Sequence, residues 1–225
     1  MTSTFIIVDC PQEMELPGIQ VRIYITMRTT IGGIAACSVL LPLLAFAQPD
    51  RSTCERGFEA AFQPGGQLRI HVRSGDIEIT GHDSAKISVS CELKYKDRSR
   101  DVKIAFRNAG KSGDLRITGG PNNDVRVRIR IPRNSHLFVR SPAGDLTVEG
   151  VIGNKDVELH AGDLTIAVGQ PGDYAHADAS VLAGDLTASA FGVEKDGLFR
   201  SFEKDNPSGK YRLHAHVGAG DLVLK

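Results

Sequence analysis

The stretch Val139-Arg140-Ser141-Pro142-Ala143-Gly144-Asp145-Leu146-Thr147-Val148 decides the fold, and it returns as Leu159-His160-Ala161-Gly162-Asp163-Leu164-Thr165-Ile166. Six segments, 71–80, 110–118, 141–150, 159–169, 181–190 and 217–225, align without gaps on this core. Their pairs are Gly75-Asp76, Gly113-Asp114, Gly144-Asp145, Gly162-Asp163, Gly184-Asp185 and Gly220-Asp221. The aspartates are separated by 38, 31, 18, 22 and 36 residues, so one degenerate copy in each of the two longest gaps restores a period near 19. Repetition on this scale is read before anything else.

The flanks alternate. Leu68-Arg69-Ile70-His71-Val72 precedes one pair, Tyr211 to Val217 precedes another, and Leu164-Thr165-Ile166-Ala167-Val168 follows a third. Period two on both sides of a glycine means strand, bend, strand. Only residues 51–62 suggest a helix, as a short cap. Units with no hairpin signal between paired strands point to parallel stacking. The expected fold is all-β, a single-stranded parallel β-helix (β-solenoid) with about 20 residues per coil.

Glycine supplies the positive φ of each corner and admits the next coil. Aspartate accepts a backbone N–H two residues on, and the leucine returns to the core. Stacked aspartates repel about 5 Å apart, so they are splayed into solvent or bridged by calcium. The calcium-binding nonapeptide needs tandem Gly-Gly-x-Gly-x-Asp copies, which are absent, and the structural role is the expectation.

Working outward, Met27 to Ala47 has a basic start, an apolar run from Ile31 to Ala47 and an Ala45-Phe46-Ala47 exit, the pattern of a signal peptide. Residues 1–26 then read as an over-called extension. Lipidation at Cys37 is disfavoured, because most of the apolar run follows that residue. The first 47 residues hold two arginines and three carboxylates, so the remaining 178 carry a balance of +1. Residues 48–63 form a lead-in and 64–225 the repeat domain. Cys54 and Cys91 remain, read as a disulfide in an oxidising compartment or as two free thiols.

The 225-residue chain has 27 basic and 27 acidic residues, which excludes polyanion binding through bulk charge. At 41% hydrophobic and 24% charged it is neither disordered nor multi-spanning. The lack of Trp and 6% aromatic content argue against an aromatic-lined pocket.

Val125-Arg126-Val127-Arg128-Ile129-Arg130-Ile131-Pro132, the run Leu137 to Leu146, and Gly209 to Leu222 together resemble the bacterial putative-adhesin family of exported β-helix domains. The resemblance covers 64–225. It implies a parallel solenoid outside the cytoplasm and carries over no catalytic residue.

Candidate sites are few. His214 and His216 share one strand face about 6.7 Å apart, without a third ligand in sequence, so no metal is expected. Arg126, Arg128 and Arg130 form a stripe that Arg116 and Arg140 extend, suited to acidic glycans or a partner's carboxylates. No nucleophile elbow, metalloprotease or phosphate-loop motif occurs. Residues 192–210, the longest irregular stretch, are too short for a deep sugar cleft. These readings predict a non-enzymatic envelope or surface protein, exported to the periplasm or cell surface. It would need no cofactor and meet an envelope protein or surface glycan, not nucleic acid, with the membrane touched only by the signal. Self-association of unpaired ends and a carbohydrate-active β-helix enzyme are the alternatives.

Overall fold

Alternation of apolar and polar residues yields eighteen strands in the computed structural model, which describes residues 50–94, 98–121, 125–196 and 198–225. The extension 1–26, the signal segment 27–47 and Cys37 lie outside the described residues. The strands begin with β1 (Asp50–Thr53), β2 (Phe58–Ala61), β3 (Gln67–Val72), β4 (Asp76–His82), β5 (Lys86–Leu93) and β6 (Lys103–Ala109). They continue with β7 (Ser112–Thr118), β8 (Val125–Pro132), β9 (His136–Ser141), β10 (Leu146–Glu149), β11 (Lys155–Ala161) and β12 (Leu164–Ile166). The last six are β13 (Tyr174–Ala183), β14 (Leu186–Ala188), β15 (Val193–Lys195), β16 (Leu198–Asp205), β17 (Tyr211–Ala219) and β18 (Leu222–Leu224).

Two nine-stranded sheets enclose the core. The first runs β1-β6-β7-β3-β9-β11-β17-β13-β16 and the second β15-β14-β18-β12-β10-β4-β8-β5-β2. Each has a parallel centre, β7 to β13 in the first and β14 to β8 in the second. Antiparallel strands close both ends: β1, β6 and β16 in the first sheet, β2, β5 and β15 in the second.

This overturns the single-stranded parallel β-helix. The sheets are mixed, and their strand order departs from chain order. The long steps between aspartates hold no degenerate coils. They hold antiparallel excursions, β5 and β6 in one and β15 and β16 in the other, which cover parallel edges that would otherwise stand open. The chain also leaves a gap between β11 and β13 that β17 fills later, while β18 fills the matching gap between β12 and β14. Residues 51–62 contribute β1 and β2 rather than a helical cap. A disulfide joins Cys54 to Cys91 across 37 residues, with Cα atoms 5.3 Å apart. By loop-closure entropy it contributes about 4 kcal/mol.

Five of the six Gly-Asp pairs are corners between the sheets. Gly75, Gly144, Gly162, Gly184 and Gly220 have φ between 108° and 136°. They stack so closely that a Cβ on Gly162 would lie 2.4 Å from the Gly144 carbonyl oxygen, and one on Gly220 2.1 Å from that of Gly162. Three of the aspartates hold neighbouring layers, not their own turn. Asp145 Oδ1 accepts from the Asp163 N–H, Asp163 Oδ1 from Asp221 and Asp221 Oδ1 from Asp185, at 2.9–3.1 Å. The exception is Gly113-Asp114, which lies inside β7. Gly113 is buried and pairs with Leu68, where a Cβ would meet the Phe106, Leu68 and Phe62 side chains at 2.9–3.0 Å. Here the motif marks close packing within a strand, so the corner assignment fails.

After each corner the apolar residue enters one column: Ile77, Leu146, Leu164, Leu222 and Leu186 are in register and at most 2% exposed. The facing column of the first sheet reads Leu68, Leu137, Lys155, Leu213 and Ala177. Lys155 is therefore a lysine in a leucine position, 1% exposed. Its Nζ donates to the Tyr174 hydroxyl, which donates in turn to the Val168 carbonyl. Burial lowers the Lys155 ammonium to about 8 and holds the Tyr174 phenol well above its usual range.

Gly162→Ala is expected to lose about 2–4 kcal/mol in urea melts, while Gly172→Ala, with open space around it, stays within about 0.5. Asp163→Asn keeps an acceptor and stays within about 0.5 kcal/mol, whereas Asp163→Ala loses about 1. For Lys155, the unfolded chain binds more protons than the folded one between pH 8 and pH 10.5, so stability rises with pH across that window. Lys155→Met is expected to stabilise by about 3 kcal/mol at pH 7, with the advantage over wild type vanishing as pH approaches 10.5.

Candidate functional site

The parallel, in-register strands of the first sheet set its outward residues in straight rows, one strand spacing of about 4.8 Å apart. One row reads Arg69, Phe138, Asp156, His214, Asp178 and Glu203. The next reads His71, Arg140, Glu158, His216, Ser180 and Ser201. A register shift between Tyr174 and His176 sets His176 opposite both Arg212 and Asp205.

Arg140 organises the middle of this face. Its guanidinium lies 3.7 Å from the Phe138 ring centroid and forms ion pairs with Asp156 at 2.7 Å and Glu158 at 2.9 Å. The Asp156 contact lies off the N–H axis, leaving that carboxylate oxygen without a hydrogen bond, so it is an ion pair only. Arg140 Nη1 donates to the Val139 and Asp156 carbonyls at 2.9 and 3.1 Å. Arg69 approaches the same ring at 5.7 Å.

Beyond Arg140 the face alternates imidazole and carboxylate. His214 Nδ1 donates to Asp178 Oδ2 at 2.5 Å, and His176 Nδ1 donates to Asp205 Oδ1 at 2.7 Å. His176 Nε2 lies 3.4 Å from Asp178 Oδ1. The Asp205 hydrogen bond holds the His176 imidazole above its ordinary value, against partial desolvation, with the Asp205, Asp178 and Glu203 charges adding to it. Ser180 Oγ and His216 Nδ1 are 2.8 Å apart. Two trios have donor atoms within 4.8 Å of one another: Asp156, Glu158 and His214, and His176, Glu203 and Asp205. Such sets can hold a cation or share protons.

The arginine stripe is divided. Arg126, Arg128 and Arg130 stand on β8 in the second sheet, whereas Arg116 and Arg140 stand in the first. The stripe is also largely neutralised. Arg126 pairs with Asp76 at 3.7 Å, and Arg128 pairs with Glu78 at 3.2 Å and with Glu92. Arg116 is taken by Asp114 at 2.8 Å. The third ligands missing beside His214 come from β11, 58 residues upstream for Asp156. Asp156, Glu158, Asp178, Glu203 and Asp205 carry no motif, and only their alternation with buried neighbours marked them as outward. A cavity of about 220 Å³ at the far ends of the strands is lined by Arg133, Val151, Ile152, Val168, Tyr174 and Tyr211, among others. Its tyrosine hydroxyl at 174 is already engaged by Lys155 and Val168. No helix among the described residues is long and apolar enough to cross a membrane.

No family model matches the chain, and no curated protein matches it. The structure is similar to that of a "putative cell adhesion protein" from Clostridium sporogenes, with TM-score 0.45 and 15% identity over 79% of this chain and 99% of that one. It is also similar to a "putative adhesin" from Bacteroides fragilis, with TM-score 0.32 and 9% identity over 78% of this chain and 97% of that one.

Removing the organising cation is expected to expose the repulsion that it screens. Arg140→Met should lose about 2 kcal/mol in urea melts at low salt, because Asp156 and Glu158 are left facing each other. Adding Glu158→Gln to that variant recovers part of the loss. Arg140→Lys recovers less than half, having no planar fork to meet two carboxylates and a ring together.

Proposed function

We propose that the chain is an exported, non-enzymatic interaction module of the cell envelope or surface, which adheres to an envelope protein or a surface glycan through the outer face of its first sheet. The observation that carries this reading is the preorganised face itself. Two straight rows of charged, imidazole and aromatic side chains lie on a rigid sheet, with Arg140 stacked on Phe138 between them. Arg and aromatic residues are the usual anchors of binding surfaces, and a sheet holds them at little further entropic cost. The disulfide is compatible with an oxidising compartment.

The same geometry disfavours an enzyme. Ser180, His216 and Glu158 are cross-strand neighbours, the residue types of a nucleophile, a base and its orienter. They stand on an open sheet face, however, and the backbone N–H groups around them serve the ladders, leaving none to stabilise an oxyanion. One observation favours the self-assembling alternative. β16 is an edge strand with Leu198 62% and Phe199 78% exposed, and Phe199 has φ 55°. Sedimentation that finds a concentration-independent monomer excludes it.

The binding reading is tested with labelled full chain on native envelope fractions and an array of surface glycans. Saturable binding is expected, weakened at least tenfold by Phe138→Ala or Arg140→Ala and unchanged by Thr147→Ala on the opposite sheet. No binding to either, or loss only on the Thr147 side, overturns it. So does polysaccharide turnover abolished by a single Asp or Glu substitution.

A further inference from the structure

The ion pairs of the described residues divide the first sheet's outer face into two unlike halves. Around β9 and β11 every carboxylate has an arginine: Asp156 and Glu158 share Arg140. Around β13 and β16 three carboxylates, Asp178, Glu203 and Asp205, gather with no lysine or arginine within ion-pairing distance among the described residues. Asp178 pairs with His176 and His214, and Asp205 with His176. Antiparallel register sets Asp178 directly opposite Glu203 and His176 directly opposite Asp205. Like charges directly opposite across strands oppose their pairing, so this arrangement costs stability unless a positive charge enters it.

We propose that His176, Glu203 and Asp205 bind a divalent transition-metal ion, of the zinc or manganese class, with Asp178 orienting the histidine from behind. The three donor atoms already lie within 4.8 Å of one another. Three ligands on one ion at about 2.1 Å stand about 3–3.5 Å apart, a contraction within the reach of the exposed Glu203 and Asp205 side chains. One imidazole nitrogen with carboxylate oxygens suits zinc, manganese or their neighbours, whereas calcium takes an all-oxygen shell. His176 presents Nδ1 on the Asp205 side, where the ion would take the place of the proton now donated to that carboxylate, while Nε2 stands 3.4 Å from Asp178. Such a carboxylate behind the second nitrogen fixes the ring and raises its basicity as a ligand. The neighbouring trio of Asp156, Glu158 and His214 is the weaker competitor, because Arg140 already neutralises its carboxylates. An ion between β13 and β16 would fasten the edge strand to the sheet. The inference names a ligand on the face proposed above, but metal binding is read directly, so either proposal can fail alone.

The test is titration calorimetry of the chelator-stripped full chain with zinc chloride, and separately with manganese chloride, in a non-coordinating buffer. Zinc is expected to bind at one ion per chain with micromolar affinity. At a hundredfold excess over Kd it should raise Tm by about 5 °C or more. Glu203→Gln and Asp205→Asn should each weaken binding at least tenfold, while Glu158→Gln stays within twofold of wild type. Glu203→Gln removes a like charge opposite Asp178, so its metal-free urea melt should be no worse than wild type, while Asp205→Asn keeps an acceptor for His176. Should either fail to fold, His176→Gln and His214→Gln carry the same information, since only the first should weaken zinc binding at least tenfold. Absence of saturable binding by both metals, binding indifferent to Glu203 and Asp205, or binding abolished by Glu158→Gln overturns the proposal.

Discussion

The parallel centre of the molecule is spaced by the contact between successive corner glycines. The backbone of each layer passes so near the carbonyl of the layer before it that no side chain fits between them. That close passage is what allows Asp145, Asp163 and Asp221 to reach across to the next layer's N–H instead of closing their own turns. It also fixes the register on both sides of the corner. Inward, the residue after each aspartate falls into one apolar column; outward, side chains fall into rows. A corner set one residue out of step would turn a strand's apolar residues to solvent and break both at once.

The outer face is a consequence of those rows. Arg140, Asp156 and Glu158 come from adjacent strands, and so do His214, Asp178 and His176. Their contacts exist because parallel strands in register bring equivalent positions to one strand spacing. The two halves of the face differ because of what flanks them. β9 brings an arginine to its neighbours, whereas β16 arrives antiparallel and sets a second pair of carboxylates against β13. Burial is as uneven inside, where one leucine position is held by Lys155. The protein tolerates that charge because Tyr174 meets the amine.

The ends are built differently from the middle. Parallel edges would leave N–H and C=O groups open to any passing strand. Antiparallel strands cover them at both ends of both sheets, and the Cys54–Cys91 bridge ties the turn between β1 and β2 to the second sheet's strand β5. The last strands of the chain are not peripheral. β17 and β18 sit inside the parallel centres, each bonded on both sides, so the C-terminal fifteen residues complete both sheets together.

The sequence by itself determined that the protein is all-β, where most corners fall, and which residues point inward. Glycine at positive φ and period-two alternation are local constraints that a chain carries wherever it goes. It misplaced Gly113-Asp114, since a glycine needed for close packing inside a strand has the same spelling as one needed for a turn. It also hid the antiparallel excursions: β6 and β7 pair as a hairpin, but Gly110-Lys111 between them lacks the Asn-Gly or Asp-Gly spelling. Only the tertiary structure decided that β17 enters between β11 and β13, and with it which charges meet. Strand order depends on which edge is open when a later segment arrives, and ion pairs between residues such as Asp178 and His214 depend on that order. No window of sequence contains either.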